Sequence, residues 1–302
     1  MKKSINDLPS PYLLTSQVTI AAGGSATADS GALGQPYRRP FWVDEVRWTI
    51  KVPGATVTND VAFQMGGLIT TKLTLGRMII SNDFIPIYNF AQSMQRYNSV
   101  EAAEGIVTGF GVPVSYSNYR WVLPKPLYVP SGMPLTSQFQ RFRDAFGTAT
   151  VSVSYAGRYI SPGSKTLREF DVPFVTAFTI PLSNTATMAI SGENDLVNPF
   201  LENLQTQRFI GRQLLYTAAP DVAQELEPST SETQVLMKDS YGNNVIRDYT
   251  YFTRVFDWNR RAWTFSRTLL PTERYYVSLS GIPTNVFPSI SLIGTRVERI
   301  AR

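Results

Sequence analysis

The chain repeats itself. Val18-Thr19-Ile20, a loop of small residues and Ser25-Ala26-Thr27 return as Phe178-Thr179-Ile180, a loop and Thr185-Ala186-Thr187. Phe41 to Trp48 (FWVDEVRW) returns as Phe209 to Tyr216 (FIGRQLLY), with Phe, Val or Leu, and Trp or Tyr in matching places. Tyr119-Arg120-Trp121-Val122-Leu123 returns as Arg261-Ala262-Trp263-Thr264-Phe265, and Thr150-Val151-Ser152-Val153-Ser154 as Ser289-Ile290-Ser291-Leu292-Ile293. The blocks keep their order and only their spacing drifts. Insertions in surface loops cause such drift, because lengthening a loop adds little closure entropy. A period near half the chain is too long for a solenoid or propeller, whose repeats run roughly 20–50 residues. The chain reads as two copies of one β-domain, in keeping with about 150 residues per domain.

Composition agrees with a β-rich chain. Aromatics, Val, Ile and Thr are plentiful, and these suit a pleated, half-buried surface. Twenty Gly and 20 Pro supply many turns. Charged residues make up 17%, below the usual quarter, so apolar surface remains for partners to cover. Cysteine and histidine are both absent. That removes disulfides and thiol chemistry, Ser-His-Asp and Cys-His nucleophiles, the usual zinc sites and the two-His iron site. The net charge of +5 is scattered along the chain, whereas a dedicated nucleic-acid binder concentrates it in a stripe. Direct sequence-specific nucleic-acid binding is therefore not expected. No run reaches the roughly 20 apolar residues of a membrane-spanning helix. Lys2 and Lys3 are followed by polar residues and Pro9, not by an apolar signal core, so the expectation is a protein made in the cytoplasm and not exported by a signal peptide.

Along the chain, residues 1–16 are polar and proline-punctuated and read as an arm. The first domain, 17–160, is expected to hold strands near 17–22, 41–51, 69–80, 119–123, 126–129, 134–140 and 148–160. In the second of these, Trp42, Asp44, Val46, Trp48 and Ile50 alternate with Val43, Glu45, Arg47, Thr49 and Lys51, giving one buried and one wet face. Apolar positions at 87, 90, 91 and 94 within 85–97 have helical spacing and predict a short helix. Residues 161–172 contain Pro-Gly and a charge cluster and read as a linker. The second domain, 173–302, is expected to hold strands near 174–181, 185–190, 207–217, 233–238, 244–248, 262–269, 273–280 and 288–299. Asp248 to Phe256 suits a helix or a strand, and Asp195 to Glu202 a short helix. Long loops are expected at 52–68, 98–118 and 218–232.

Little in the chain suggests catalysis. The paired carboxylates are Asp44-Glu45, Glu193/Asp195 and Glu225/Glu227. A glycosidase needs two carboxyls about 5–10 Å apart across one cleft. Neighbours on a strand point to opposite faces, and Glu225/Glu227 lie in a polar loop without aromatic flanks. Solvated surface charge is the plainer reading of all three. Asp239, Asn243 and Asn244 form a turn cluster short of a full calcium ligand set. Gly66-Gly67 and the glycines from Gly105 to Gly111 lack the Lys-Ser/Thr that completes a phosphate loop. Trp42, Trp48, Trp121, Trp258 and Trp263 suit packing better than ligand stacking. Lys2, Lys3, Arg299 and Arg302 make both ends basic, either as soluble tails or as contacts to an anionic layer. No cofactor is expected.

Two tandem β-sandwiches, a short helix in the first, long variable loops and a short arm together resemble the double jelly-roll major capsid proteins of tailless icosahedral viruses. The resemblance extends to those bacteriophages that enclose a lipid membrane, the small flavobacterial type included. It covers the whole chain as architecture, through the paired blocks, and rests on no diagnostic motif. It implies an all-β fold of two tandem eight-stranded jelly-roll sandwiches, with a few short helices in loops. It implies a homotrimer of pseudo-hexagonal outline that meets neighbouring capsomers, minor capsid proteins and an internal membrane, with the termini on the inner face. The protein would be made in the host cytoplasm and reside in the virion capsid. Two other functions compete with this one. One is a phage spike or tail receptor-binding module, which usually trimerises through a coiled coil, and the chain has no heptads. The other is a carbohydrate-active enzyme working with carboxylates alone, and no coherent pair supports it.

Overall fold

The computed structural model describes residues 11–21, 25–29, 40–53, 69–81, 84–91, 93–101, 112–141, 148–160, 169–179, 187–189, 209–220, 234–239, 241–255, 262–269, 275–280 and 286–299. The chain divides into two compact units, Met1–Val172 with Glu298–Arg302, and Pro173–Val297.

In the first unit the described residues form ten strands in order: β1 (Pro11–Ile20), β2 (Ser25–Asp29), β3 (Phe41–Pro53), β4 (Ile69–Leu75), β5 (Met78–Ile79), β6 (Ile85–Pro86), β7 (Ser93–Glu101), β8 (Val112–Val129), β9 (Leu135–Arg141) and β10 (Ala149–Tyr159). They form one sheet in the order β1-β10-β3-β8-β7 and another in the order β2-β9-β4-β5, with β6 on β4. The pairing is nested: first strand with last (β1·β10), second with second-last (β2·β9), β3 with β8 and β4 with β5, all antiparallel. A long double ribbon rolled over on itself gives this pattern, the jelly roll.

The second unit repeats it. Its strands are β11 (Glu169–Thr179), β12 (Thr187–Ala189), β13 (Phe209–Pro220), β14 (Gln234–Asp239), β15 (Asn244–Tyr251), β16 (Ala262–Leu269), β17 (Tyr275–Ser280) and β18 (Val286–Arg299). The sheets are β11-β18-β13-β16 and β12-β17-β14-β15. Again β11 lies beside β18, β12 beside β17, β13 beside β16 and β14 beside β15. The chain is therefore all-β, with two jelly-roll units of one topology.

Alternation builds the first core. Ala149, Val151, Val153 and Tyr155 of β10 are buried while Thr150, Ser152 and Ser154 between them are half-exposed. Leu73 and Leu75 of β4 and Leu135 and Phe139 of β9 close the sandwich from the other sheet. A buried hydrogen bond between the Ser137 and Tyr155 hydroxyls joins the two sheets. At the centre Trp48 stacks on Trp121 at 6.4 Å, and Phe90 lies 5.4 and 5.3 Å from their rings. Aromatic clusters of this kind bury large area and prefer such offset geometries.

Several local expectations change. Residues 11–16, read as arm, belong to β1, which pairs with β10 along its whole length. The stretch 69–80 is a hairpin, because Gly76, at a φ of 57°, turns β4 into β5. The helix expected over 85–97 is a 3-10 turn, Ile87–Asn89, flanked by β6 and β7. Burial of Ile87, Phe90 and Ala91 explains the helical spacing, and from Ser93 onward ladder bonds to β8 take over. The two strands expected at 119–123 and 126–129 are parts of β8, with Leu123-Pro124-Lys125-Pro126 an excursion from its ladder with β3. Proline cannot donate to that ladder. Asp248 to Phe256 is strand as far as Tyr251 and then one helical turn, Phe252–Val255. The expected helix 195–202 lies outside the described residues, as do 54–68, 102–111 and 221–232 of the expected loops, whereas the described parts of the loop expected at 98–118 are strand, in β7 and β8.

Candidate assembly face

In β3 the core positions change parity. Phe41 and Val43 are buried before Asp44, and Val46, Trp48 and Ile50 after it. Asp44 has no partner residue in either neighbouring ladder, which runs from Val43 to Glu45. It is the extra residue of a β-bulge, and such an insertion swaps the faces of everything beyond it. The single alternation expected from 42 to 50 therefore holds only from Val46 onward. Opposite the bulge, Gly157 leaves no room for a side chain: a Cβ there would lie 1.8 Å from the Trp42 carbonyl oxygen.

Beyond the bulge, the outward side chains of β1, β10, β3 and β8 fall into rows. One row is Leu13, Ala156, Glu45 and Val122, and the next is Thr15, Ser154, Arg47 and Arg120. A third is Gln17, Ser152, Thr49 and Asn118. Hydrogen bonds tie the rows across strands, Thr15 with Ser154 at 3.0 Å and Thr49 Oγ1 to Asn118 Oδ1 at 2.7 Å.

Glu45 is the centre of this face. Its side chain is 9% exposed, and it takes Arg47 Nε on one oxygen and Arg120 Nη2 at 2.8 Å on the other. Burial pushes the carboxyl up, but the hydrogen bonds and charges of Arg47 and Arg120 outweigh it and hold Glu45 below the usual glutamate range. The same bond raises Arg120. Arg47 and Arg120 stand directly opposite each other on β3 and β8, where like charges repel. Glu45 is what makes that pair tolerable, and the trio keeps one net positive charge. The two arginine side chains remain 51% and 54% exposed. Leu13 and Val122 flank the trio and are 52% and 39% exposed. Asp44 reaches Arg158 at 3.9 Å, and Lys125 pairs with Asp171.

The residues singled out from sequence fall differently. Asp44 and Glu45 are each engaged by arginine, and a carboxyl held ionised by two guanidiniums cannot serve as a general acid. Glu193, Asp195, Glu225 and Glu227 lie outside the described residues, as do Gly66-Gly67, Gly105 to Gly111 and Trp258. Asp239 is buried and closes its own turn. It accepts the Tyr241 and Asn243 backbone N–H groups at 3.0 and 2.8 Å on Oδ1, and Asn243 Nδ2 at 3.1 Å on Oδ2. Trp48 and Trp121 are core, Trp42 packs on Tyr128 at 5.2 Å, and Trp263 stacks on Phe265 at 4.8 Å. Lys2, Lys3 and Arg302 lie outside the described residues, and Arg299 ends β18. Sequence reasoning missed the Glu45–Arg47–Arg120 trio. Glu45 and Arg47 are a visible same-face pair, but Arg120 is 73 positions beyond Arg47 and is found only through the β3–β8 register.

No protein-family model and no curated protein matches the chain. Among solved structures, the chain is similar to the STIV major capsid protein. The TM-score is 0.53 at 12% identity, over 95% of this chain and 96% of that one. That likeness is one of fold, and the fold is the double jelly roll. The T=1 Penaeus vannamei nodavirus particle reaches a TM-score of 0.19 at 11% identity, over 94% of this chain and 97% of its own. The VP2 subviral particle of infectious bursal disease virus reaches 0.16 at 11%, over 99% and 79%. Neither value implies a shared fold.

Proposed function

We propose that this chain is a viral major capsid protein, the building block of an icosahedral shell. The observation that carries the reading is the presence of two jelly rolls of one topology among the described residues of a single chain, with a likeness to the STIV major capsid protein over 95% of this chain. Three copies supply six similar sandwiches, which suits a homotrimer of pseudo-hexagonal outline. Trimers of that outline tile a closed shell by meeting neighbouring capsomers and minor capsid proteins. Obligate interfaces of this kind often bury more than about 2,000 Å². The work is done by surface complementarity, without substrate turnover. As in the membrane-containing bacteriophages that the chain resembles, the proposed shell belongs to a virus of bacteria and encloses a membrane. Lys2, Lys3, Arg299 and Arg302 meet that membrane from the inner face, each basic residue contributing about 1 kcal/mol near an anionic leaflet.

The test is to express the full chain, sediment it and image it by electron microscopy. Trimers of hexagonal outline, or uniform icosahedral particles, are expected. A stable soluble monomer at micromolar concentration, with nothing larger, overturns the proposal. Turnover of a glycan or peptide, abolished by one Asp or Glu to Ala change, overturns the non-enzymatic part.

A further inference from the structure

The two units have one topology, so their equivalent faces can be compared residue by residue. Asp44 and Arg212 mark the same bulge in β3 and β13, which aligns the positions beyond it. Glu45 then corresponds to Gln213 and Arg47 to Leu215, while Ser154 and Ala156 of β10 correspond to Ser291 and Ile293 of β18. In the first unit these are outward positions. Arg47 is exposed, and Ser154 and Ala156 are half-exposed. Glu45 at 7% and its counterpart Gln213 at 9% are both buried, but the other positions are closed in the second unit: Leu215 is 1% exposed, Ser291 1% and Ile293 0%. Every residue of β18 from Ser291 to Arg296 is buried, on both faces of the strand. A sheet covered on both sides loses polar alternation and becomes apolar throughout. That is what separates Leu215 from Arg47, and Ile293 from Ala156.

One fold thus occurs twice with the same face in two states, closed in the second unit and, Glu45 apart, half-exposed to exposed in the first. We propose that the outward face of β1, β10, β3 and β8 is where a second copy of this chain docks. The inference rests on the shell reading and adds the surface. A fold whose face is covered in one copy has the shape to be covered in the other, and a shell of identical chains supplies the cover. The face has the make-up of such a contact. Leu13, Ala156 and Val122 lie in one row about Glu45, giving apolar anchors at 52% and 39% exposure on either side of the charged trio. The trio's surplus positive charge requires a carboxylate or a cluster of carbonyl oxygens from the incoming copy. Charge pairs of this kind give register and selectivity, and they make association weaken with salt. Arg47 is charged where its counterpart Leu215 is apolar, as suits a face that meets water before the neighbour arrives.

The chain has no cysteine, so one introduced thiol reports on one place. The test uses the full chain carrying Val122→Cys, a conservative change at a half-exposed site. A thiol-reactive dye should label it at least about tenfold more slowly in the assembled species than in chain dissociated by salt or dilution. Leu13→Asp with Val122→Asp should abolish the larger species and leave the circular dichroism spectrum and melting of the free chain intact. If larger species form and the introduced thiol labels at the free-chain rate, the face is not an interface and this proposal fails while the shell reading stands. If the double Asp variant folds and assembles as wild type, it fails in the same way. If the unmodified chain forms nothing larger than a monomer, the shell reading itself falls, and this proposal with it.

Discussion

Asp44 and Arg212 are the extra residues of two β-bulges that occupy the same point of equivalent strands, three residues past Phe41 in β3 and three past Phe209 in β13. Each bulge has a glycine beside it on the next strand, Gly157 on β10 and Gly294 on β18. Bulges re-aim side chains and bend strands, and a bulge kept at one place in both copies is part of the fold, not a local accident.

Gly157→Ala should therefore be among the most damaging single-methyl additions in the chain. The nearest atoms are backbone, the Trp42 carbonyl at 1.8 Å and the Val43 Cα at 3.0 Å, so no side chain can swing aside. A loss of about 3 kcal/mol is expected, at the upper end of ordinary overpacking. Denaturant unfolding followed by tryptophan fluorescence measures it. A change below about 0.5 kcal/mol would show that the bulge yields easily.

Trp48→Ala should cost about 3–5 kcal/mol, because it empties the centre of the Trp48–Trp121–Phe90 cluster. Trp48→Phe should cost much less. The Trp48 indole N–H is buried and has no hydrogen-bond partner among the described residues, so the smaller ring forfeits packing but no hydrogen bond. Thermal unfolding of the two variants side by side gives the ratio. Equal losses would mean that the indole nitrogen has a partner.

Much of the fold is readable in the sequence. The described residues of the paired blocks fall on equivalent strands. Phe41 and Phe209 are the first residues of β3 and β13, and Trp121 and Trp263 sit opposite the equivalent positions Val46 and Leu214. The last block falls on the right strand but two residues out of register, since Val153 and Ile290 are the true equivalents, opposite Trp48 and Tyr216. A period-2 pattern looks the same after a two-residue slip, so sequence alone does not detect it. The bulge at Asp44 is hidden for a related reason. Trp42 and Asp44 extend the alternation of Val46, Trp48 and Ile50 on paper, and only the ladder shows that the faces have swapped. The turn at Ile87–Asn89 imitates a helix because one tight turn buries the same spacing as the start of a helix.

Glu45 gives the chain an acid-sensitive contact. Its carboxyl is held below the ordinary glutamate value of about 4.3 by Arg47 and Arg120 against the opposing pull of burial. A group depressed in the folded state binds more protons when unfolded, so it stabilises above the ordinary range and loses that contribution as pH falls through its folded value. The melting temperature of wild type should exceed that of Glu45→Gln at neutral pH, and the gap should close only below the ordinary glutamate range. A gap that stays constant to strong acid would show that the arginines do not hold the carboxylate.

Asp239→Ala should loosen the β14–β15 hairpin. The buried carboxylate accepts three hydrogen bonds within its own turn, and Gly242 takes a φ of 78° to complete it. Leaving those donors without an acceptor should cost about 1–3 kcal/mol. Asp239→Asn should recover part of the loss, because the amide oxygen still accepts. Limited proteolysis at the turn and thermal unfolding together report the effect. An Ala variant with wild-type protease resistance would contradict it.

The last prediction concerns the ends and rests on the proposed membrane contact. Residues 1–16 carry Met1, Ile5, Leu8, Tyr12, Leu13 and Leu14 as their larger apolar side chains, broken up by Lys2, Lys3, other polar residues, Pro9 and Pro11. Leu14 is already buried in the first unit. That leaves too little apolar surface for stable insertion, so attraction to an anionic bilayer is electrostatic and peripheral. Exposed charges are screened beyond about 8–10 Å at moderate ionic strength, so raising salt should release the chain from phosphatidylserine vesicles. Replacing Lys2, Lys3, Arg299 and Arg302 by Gln should leave the proposed trimer intact and remove vesicle binding in a flotation assay. Unchanged flotation by the variant, or binding by wild type that resists high salt, would show that these four residues do not make the contact.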